Sequence, residues 1–355
     1  MIKPRDNKLN ILKEIKTDSV NKRLVVINSN GLLHYFYLVN GRIHYFYVED
    51  TSDKSLVSVG DIYIGVVSHV NKEIDGYFIN IDQNEPVFLP GSEIVNPILV
   101  NRKYDGKLHE SDVILVQIKK LGFANKKPLV STKYKISSEV NLEQLSRTCV
   151  KYSLIYKGQS IVDYIDKYHG GFGNTLVVCS DEYAVDYMNG LISNDRYTDI
   201  SVKLYDDEHI SISSLYSLKS KLDEISNIKV WLKSGGYLFI NPTEAMTVID
   251  VNTGKAGGKN KDNAIFDINI EAINEIAYQI LARNLSGIII VDLINSKQAD
   301  FNTILTKAME DAFETIKPAP KLVDITKLGL AEITRQKIHP DIYDSLRKMD
   351  RTILM

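Results

Sequence analysis

Residues 243–293 limit the possible folds more than any other stretch of this chain. An apolar strand pattern runs into MTVIDVN, then a loop rich in glycine and lysine, then a long helix pattern, then the apolar strand GIIIVDLIN. Within the helix pattern Ile265, Ile268, Ala272, Ile273, Ile276 and Ile280 recur at three- and four-residue spacings, one apolar face of a helical period. Gly287 stands where a C-terminal glycine closes such a helix. Strand, crossover helix and strand make a parallel pair, and parallel strands need helices over their faces. The chain therefore contains an α/β layer. Around it, 229–232 and 237–240 flank a Ser-Gly-Gly turn as a hairpin, 301–316 reads as a helix, 321–325 as a strand and 330–337 as a short basic helix. Together they make an α/β domain over 227–355.

The period changes twice upstream. After a charged leader, 1–20, residues 23–28 read as a strand. Residues 32–39 and 42–48 then flank Asn40-Gly41, the strongest short hairpin signal. The near-repeat HYFY falls in both arms and reads as cross-strand aromatic pairing. Residues 57–136 carry five short strand patterns, at 61–70, 76–82, 86–89, 112–120 and 129–133, which suits a small closed barrel such as the OB-fold. From 139 helices at 160–168, 181–191 and 215–225 alternate with strands at 152–156, 175–179 and 202–205. Residues 139–226, together with 21–56, then form one α/β domain that the barrel interrupts. The expected fold class is mixed α/β with an inserted β-barrel.

Composition narrows the class of protein. With 44% hydrophobic and 25% charged residues in 355, the chain has the make-up of a globular protein of two or three domains. No apolar run approaches the roughly 18 residues that a membrane helix needs. The leader lacks the apolar core of a signal peptide. Cys149 and Cys179 are too few for a disulfide framework or a cysteine-rich zinc site, so the expected compartment is the reducing cytoplasm. The net charge of −2 hides an uneven distribution. Residues 101–135 hold nine Lys and Arg against three acids, whereas 241–300 hold eight acids against five bases. That is the pattern of a polyanion-binding module beside a cation-binding one, or of two solvated faces.

Asp250 and Asp292 stand out by context, each at the end of an apolar strand pattern. Ligand sites of open α/β sheets gather at such strand ends. Two carboxylates with no His or Cys nearby suit magnesium or manganese, and the alternative is that each caps the segment after it. The loop GKAGGK between them resembles a phosphate-binding loop, but it is one residue short and Asn260 replaces the hydroxyl residue. A triphosphate site is therefore disfavoured, and a basic loop that brings Lys255 to a phosphate is the better reading. In the barrel, Phe78 and Phe88 share side-chain parity on successive strands and lysines follow them. They are either a base-stacking platform or barrel core. The seven histidines form no metal-binding or triad spacing.

GGYLFINPTEAMTVIDVNTGK, NIEAINEIAYQILARNLSGIIIVDLI and KLGLAEITRQK, in this order, resemble the catalytic region of the ribonuclease E/G family. GYFINID and VFLPGSEI in 57–136 look like that family's inserted S-one-type OB-fold. The resemblance implies a ribonuclease-H-like part in the flanking α/β pieces and a deoxyribonuclease-I-like catalytic domain over 227–355. It also implies an endoribonuclease specific for single-stranded RNA that leaves 5′-phosphate and 3′-hydroxyl ends. By the same likeness Asp250 and Asp292 hold one magnesium ion, with manganese as a substitute, and Asn252 supports the reacting phosphate. Phe78, Phe88, Lys120 and Lys126 would hold RNA on the barrel. Lys327 stands where the family usually has arginine. The rival from another class is an RNA-binding protein whose nuclease-like domain is structural.

Three departures from the family stand out. The subdomain that senses an RNA 5′-monophosphate has no counterpart between Ile136 and Glu139. The Cys-Pro-x-Cys zinc link is missing, so neither zinc nor a zinc-linked dimer is expected. The acid often found three residues after the second metal aspartate is Asn295 here.

Overall fold

The computed structural model describes residues 21–51, 57–82, 86–120, 122, 127–136, 141–192, 197, 200–254, 261–295 and 300–354. They fall into two compact units, one made of the segments up to residue 52 and from 162 onward, the other of 53–161. The leader, 1–20, lies outside the described residues.

The first unit opens with an antiparallel meander of β1 (Lys22–Ser29), β2 (Leu32–Val39) and β3 (Arg42–Asp50). Asn40 and Gly41 both take positive φ, 50° and 80°, as a two-residue hairpin turn demands. Tyr35 faces Tyr47, Phe36 faces Phe46 and Tyr37 faces Tyr45, so the repeated motif is indeed a row of cross-strand aromatic pairs.

The second unit is a closed barrel of β4 (Ile62–Asn71), β5 (Gly76–Asn80), β6 (Val87–Pro90), β7 (Val113–Lys120) and β8 (Leu129–Ser131). The strands run in the order β4-β5-β6-β8-β7, and β4 pairs with both β5 and β7 to close it. Only β6 and β8 are parallel, and the topology is that of an OB-fold. Val67, Ile79, Val87, Ile114, Val116 and Val130 fill the inside. A sixth strand, β9 (Ser153–Tyr156), pairs antiparallel with β4. Its sequence suggests a place in the α/β pattern, yet β5 pairs only with Val66–Asn71 of β4 and leaves the first half of that strand free on one side. β9 takes this vacancy, and the compact unit runs to 161.

Back in the first unit, β10 (Thr175–Cys179) lies parallel to β1, and β11 (Ser201–Leu204) lies parallel to β10. Strands from both sides of the barrel in sequence thus share one sheet, β11-β10-β1-β2-β3. The other sheet holds β12 (Lys229–Trp231), β13 (Tyr237–Pro242), β14 (Met246–Asn252), β15 (Gly287–Asp292), β16 (Lys321–Ile325) and β17 (Leu330–Arg335), in the order β12-β13-β14-β15-β17-β16. Helices Lys261–Ala282 and Phe301–Phe313 cover one face, where Leu238, Ile249, Ile276, Ile289, Met309 and Ile333 are all buried. Tyr278 ties the long helix to β3, donating from its hydroxyl to the Ile43 carbonyl at 2.9 Å under the Arg42 guanidinium.

Two expectations are corrected here. Residues 330–335 are not a basic helix but a central strand between β15 and β16. Ala331, Ile333 and Arg335 point inward in strict alternation, and the charge of Arg335 disguises the period. The buried guanidinium donates to the carbonyls of Pro318, Lys317 and Leu285 and to Asn284 Oδ1, which replaces its lost water. Nor does Gly287 close the long helix. Asn284 does, at φ 50°, with Leu285 N–H donating to the Ile280 carbonyl, and Gly287 begins β15.

Candidate active site

Parallel pairing of β14 with β15 sets Asp250 directly beside Asp292 at the C-terminal ends of both strands. Their neighbours Ile249, Val251, Val291 and Leu293 are buried against the helices, so the two carboxylates project from the opposite, open face. Asp250 is half-buried and Asp292 exposed. Adjacent strands lie about 4.8 Å apart, and like charges on one rung repel unless a cation joins them. Asn252 donates from Nδ2 to Asp250 Oδ2 at 2.7 Å, which fixes that carboxylate and brings a neutral amide to the same edge. Among the described residues no three His, Cys, Asp or Glu side chains gather as a metal cage. A pair of carboxylates with room around it fits a hard cation that keeps several waters and takes its other ligands from a substrate phosphate.

The segments that carry these groups are held from below and from both sides. Asn269 on the long helix is fully buried and grips the chain just past Asp292, donating to the Ile294 carbonyl at 2.8 Å and accepting from Ile294 N–H at 3.1 Å. Removing such a doubly satisfied amide leaves buried backbone groups unpaired, at about 1–3 kcal/mol. On the other side the Ser-Gly-Gly turn packs under Asn252. A Cβ on Gly254, itself at φ 56°, would strike the Gly235 carbonyl oxygen, so only glycine lets the two turns meet. Glu271 accepts from Lys233 and Ser234 N–H and caps the same turn.

Beyond β15, Asp292 faces Leu330 across the sheet, so the turn between β16 and β17 stands at the aspartate end. Asn295 donates from Nδ2 to the Leu328 carbonyl at 3.1 Å and packs on Gly329. Its amide therefore fastens the turn on which the exposed Lys327 rides. Lys255 lies outside the described residues, as does the rest of its loop to 260.

Phe78, Phe88 and Lys120 gather on the barrel instead. Paired residues cross its wall as one row, His69–Phe78–Phe88–Leu129–Lys120. The neighbours Ile79, Val87, Leu89 and Val130 are buried in the barrel, whereas Phe78 and Phe88 are only half-buried. The two rings thus lie outside the apolar filling of the barrel. Their centroids are 5.4 Å apart, and His69 stacks on Phe78 at 6.2 Å. A Cβ on Gly76 would collide with the Phe88 ring, which lies across that glycine. Lys120 is exposed at the end of the row, while Lys119 is tied to Glu93 at 2.5 Å and holds that carboxyl below its usual range. Lys126 lies outside the described residues.

Sequence reasoning passed over His69, Asn269 and a row of aromatics beside the aspartates. Phe239 pairs with Asp250, Tyr237 with Asn252, and Trp231 with Tyr237. Lys229 Nζ lies 3.9 Å from the ring centres of both Trp231 and Tyr237. A signal was present: Lys229, Trp231, Tyr237 and Phe239 alternate with the apolar Val230, Leu232, Leu238 and Ile240 on either side of a tight turn.

The chain matches the ribonuclease E/G family over residues 130–338, more than half of its length. Over 135 residues it is 39% identical to ribonuclease G of Salmonella typhimurium, a stretch covering 38% of this chain and 28% of that protein. Ribonuclease G of Escherichia coli is 39% identical over 132 residues, covering 37% and 27%. Ribonuclease E of Synechocystis is 36% identical over 138 residues, covering 39% and 20%. The matched stretch thus spans less than a third of the length of each of these relatives.

Proposed function

The chain belongs to the ribonuclease E/G family, and on that premise we propose that it is a magnesium-dependent endoribonuclease of RNA processing or decay. It cuts single-stranded RNA by hydrolysis and leaves 5′-phosphate and 3′-hydroxyl ends. The observation that carries this reading is the register of Asp250 with Asp292 at the ends of two parallel strands. When bound, a magnesium ion supplies Lewis-acid chemistry, activating water and stabilising charge on the transferring phosphorus. The two carboxylates hold that ion, and manganese serves as a substitute. Asn252 orients the Asp250 carboxylate through one amide hydrogen and offers the rest of its amide to the phosphate.

Binding is divided between two surfaces. The half-buried rings of Phe78 and Phe88 stack on bases and Lys120 neutralises phosphate, the combination typical of single-strand binding. Lys126 and Lys255 extend that role, and Lys327 supplies charge at the aspartate end. The strand order β11-β10-β1-β2-β3 supports a ribonuclease-H-like part, and the six-stranded sheet with its helices supports the deoxyribonuclease-I-like assignment. The proposed compartment is the cytoplasm; no helix among the described residues is long and apolar enough to cross a membrane. Incubating the purified protein with a single-stranded RNA oligomer tests the proposal. Cleavage with magnesium and none with chelator is the expected result; the same cutting in both, or in neither, removes it.

A further inference from the structure

The open face of the six-stranded sheet carries more than the two aspartates. Lys229 and Phe239 share a rung with Asp250 and Asp292, and Trp231 and Tyr237 share the next rung with Asn252. Register partners project to the same side of a sheet, so all these side chains stand on one surface. The residues between them, Val230, Leu238, Ile249 and Val291, are buried on the other side.

The aromatic end of this surface is built as a cluster. Trp231 meets Tyr237 edge-on at 5.4 Å, and Tyr237 meets Phe239 edge-on at 5.3 Å. Lys229 Nζ sits among them, 3.9 Å from two ring centres and 5.8 Å from the third. With Lys229 and Tyr237 both against it, Trp231 is still 64% exposed. A large ring open to water and an ammonium held beside it are the two elements that bind single-stranded nucleic acid: the ring takes a base and the cation a phosphate.

Distance links the cluster to the aspartates. Trp231 lies two strands from Asn252, about 10 Å, and Phe239 is the immediate neighbour of Asp250. The exposed Met246 and Ile288 form a separate apolar spot at the other ends of β14 and β15.

We infer that Lys229, Trp231, Tyr237 and Phe239 form a base-stacking subsite for single-stranded RNA, which seats a nucleotide next to the phosphate held at Asp250 and Asp292. The inference rests on the proposed nuclease reading and deepens it. Trp231 is a positioning residue for the cut, separate from the platform on the barrel.

Trp231 is the one tryptophan of the chain, so its fluorescence reports on this surface alone. The full-length protein is titrated with a single-stranded RNA oligomer in chelator, so that nothing is cut. Emission changes that saturate together with binding measured on labelled RNA, and protection of Trp231 from acrylamide, are expected. Trp231→Leu should weaken binding about 5- to 150-fold, the range for losing one stacked base. Trp231→Phe, which keeps a ring, should restore most of it. RNA that binds and is cut in an Asp250-dependent way, yet leaves the emission and acrylamide access of Trp231 unchanged, overturns the inference and spares the nuclease reading. Protein that neither binds nor cuts RNA removes both. Emission that responds to protein concentration without RNA assigns the face to a second copy of the chain and also overturns the inference.

Discussion

The barrel wall and the six-stranded sheet present two aromatic rows built from the same ingredients. On the barrel, His69, Phe78 and Phe88 lead across to Lys120, with the charge at the end of the row. On the sheet, Lys229 sits amid three rings and the row ends in two carboxylates. The difference comes from strand direction. Antiparallel strands dominate the barrel and its one parallel pair, β6 with β8, aligns Phe88 with Leu129, whereas β14 and β15 run parallel and bring two strand ends, each with an aspartate, to one edge. On the proposed reading the first surface holds RNA, and the second, which carries the carboxylates, acts on it.

The sharpest break between the two surfaces is expected at the carboxylates. Asp250→Asn or Asp292→Asn keeps the size of the side chain and removes a charge from the proposed hard-cation site. Cleavage should fall at least about a hundredfold while affinity for RNA barely changes, because the lost stabilisation belongs to the transition state. Single-turnover rates and equilibrium binding on the same variants measure the two separately. Near wild-type cutting by the double variant would show that the chemistry lies elsewhere.

The reverse pattern is expected on the barrel. Phe78→Ala and Phe88→Ala should each weaken RNA binding by roughly 1–3 kcal/mol, with little change in the rate at saturating RNA. Both rings are half-buried on the outer wall, so the melting temperature should move far less than for a core truncation. A variant that melts early but binds normally would place the rings in the barrel's stability rather than in its contact with RNA.

Those contrasts bear on how much was legible beforehand. The aspartates could be read because each interrupts an apolar run, and the hairpin because Asn40-Gly41 has few other uses. Residues 330–335 misled because Arg335 occupies a core position, and a single charge there erases a three-residue alternation. Gly287 misled because Asn284, three residues earlier, also tolerates positive φ. β9 reads as part of the α/β alternation because the vacancy it fills on β4 is set by where β5 stops, which its own residues do not show. The sheet aromatics escaped for a different reason: one arm contributes only Trp231 and the other Tyr237 and Phe239, and short segments look like ordinary strand packing until the register joins them.

Acid should separate the two units more gently. In the α/β unit burial pushes His34 and His169 below their usual range, His44 down to about 4, helped by Arg42, and His339 down to about 3, helped by Lys348. On the barrel His69 and His109 have side chains about 60% and 57% exposed. A histidine held neutral in the fold has a folded pKa below its unfolded value of about 6.5, so the unfolded chain takes up protons first as pH falls. The α/β unit should therefore lose stability progressively from about pH 6.5 toward pH 4. The barrel, whose two histidines are exposed, should lose less above about pH 5, before its lowered carboxyls Glu93, Asp105 and Asp112 begin to count. Unfolding followed by Trp231 emission reports the first, and amide exchange along 62–131 reports the second. Equal loss in both units would show that the buried histidines carry no such burden.

The smallest effect expected is none at all. Discriminating a 5′-monophosphate needs a dedicated anion pocket of side chains or backbone N–H groups. The inserted subdomain that the family resemblance would assign to this role has little room here: between Ile136 and Asn141 the chain has four residues, 137–140, which lie outside the described ones. Asn141 already caps the next helix, accepting from Gln144 N–H. On the proposed reading engagement then rests on the two aromatic rows and on lysines, none of which requires a free end. RNAs with 5′-hydroxyl, monophosphate and triphosphate ends should be cut at similar rates, and circular RNA should be cut readily. Binding should weaken steeply with salt as neutralised phosphates release their counterions. Rates measured at one fixed salt concentration decide it: a tenfold preference for the monophosphate would mean that one of the two surfaces contains an end-binding pocket, and circular RNA would then be the poorest substrate of the set.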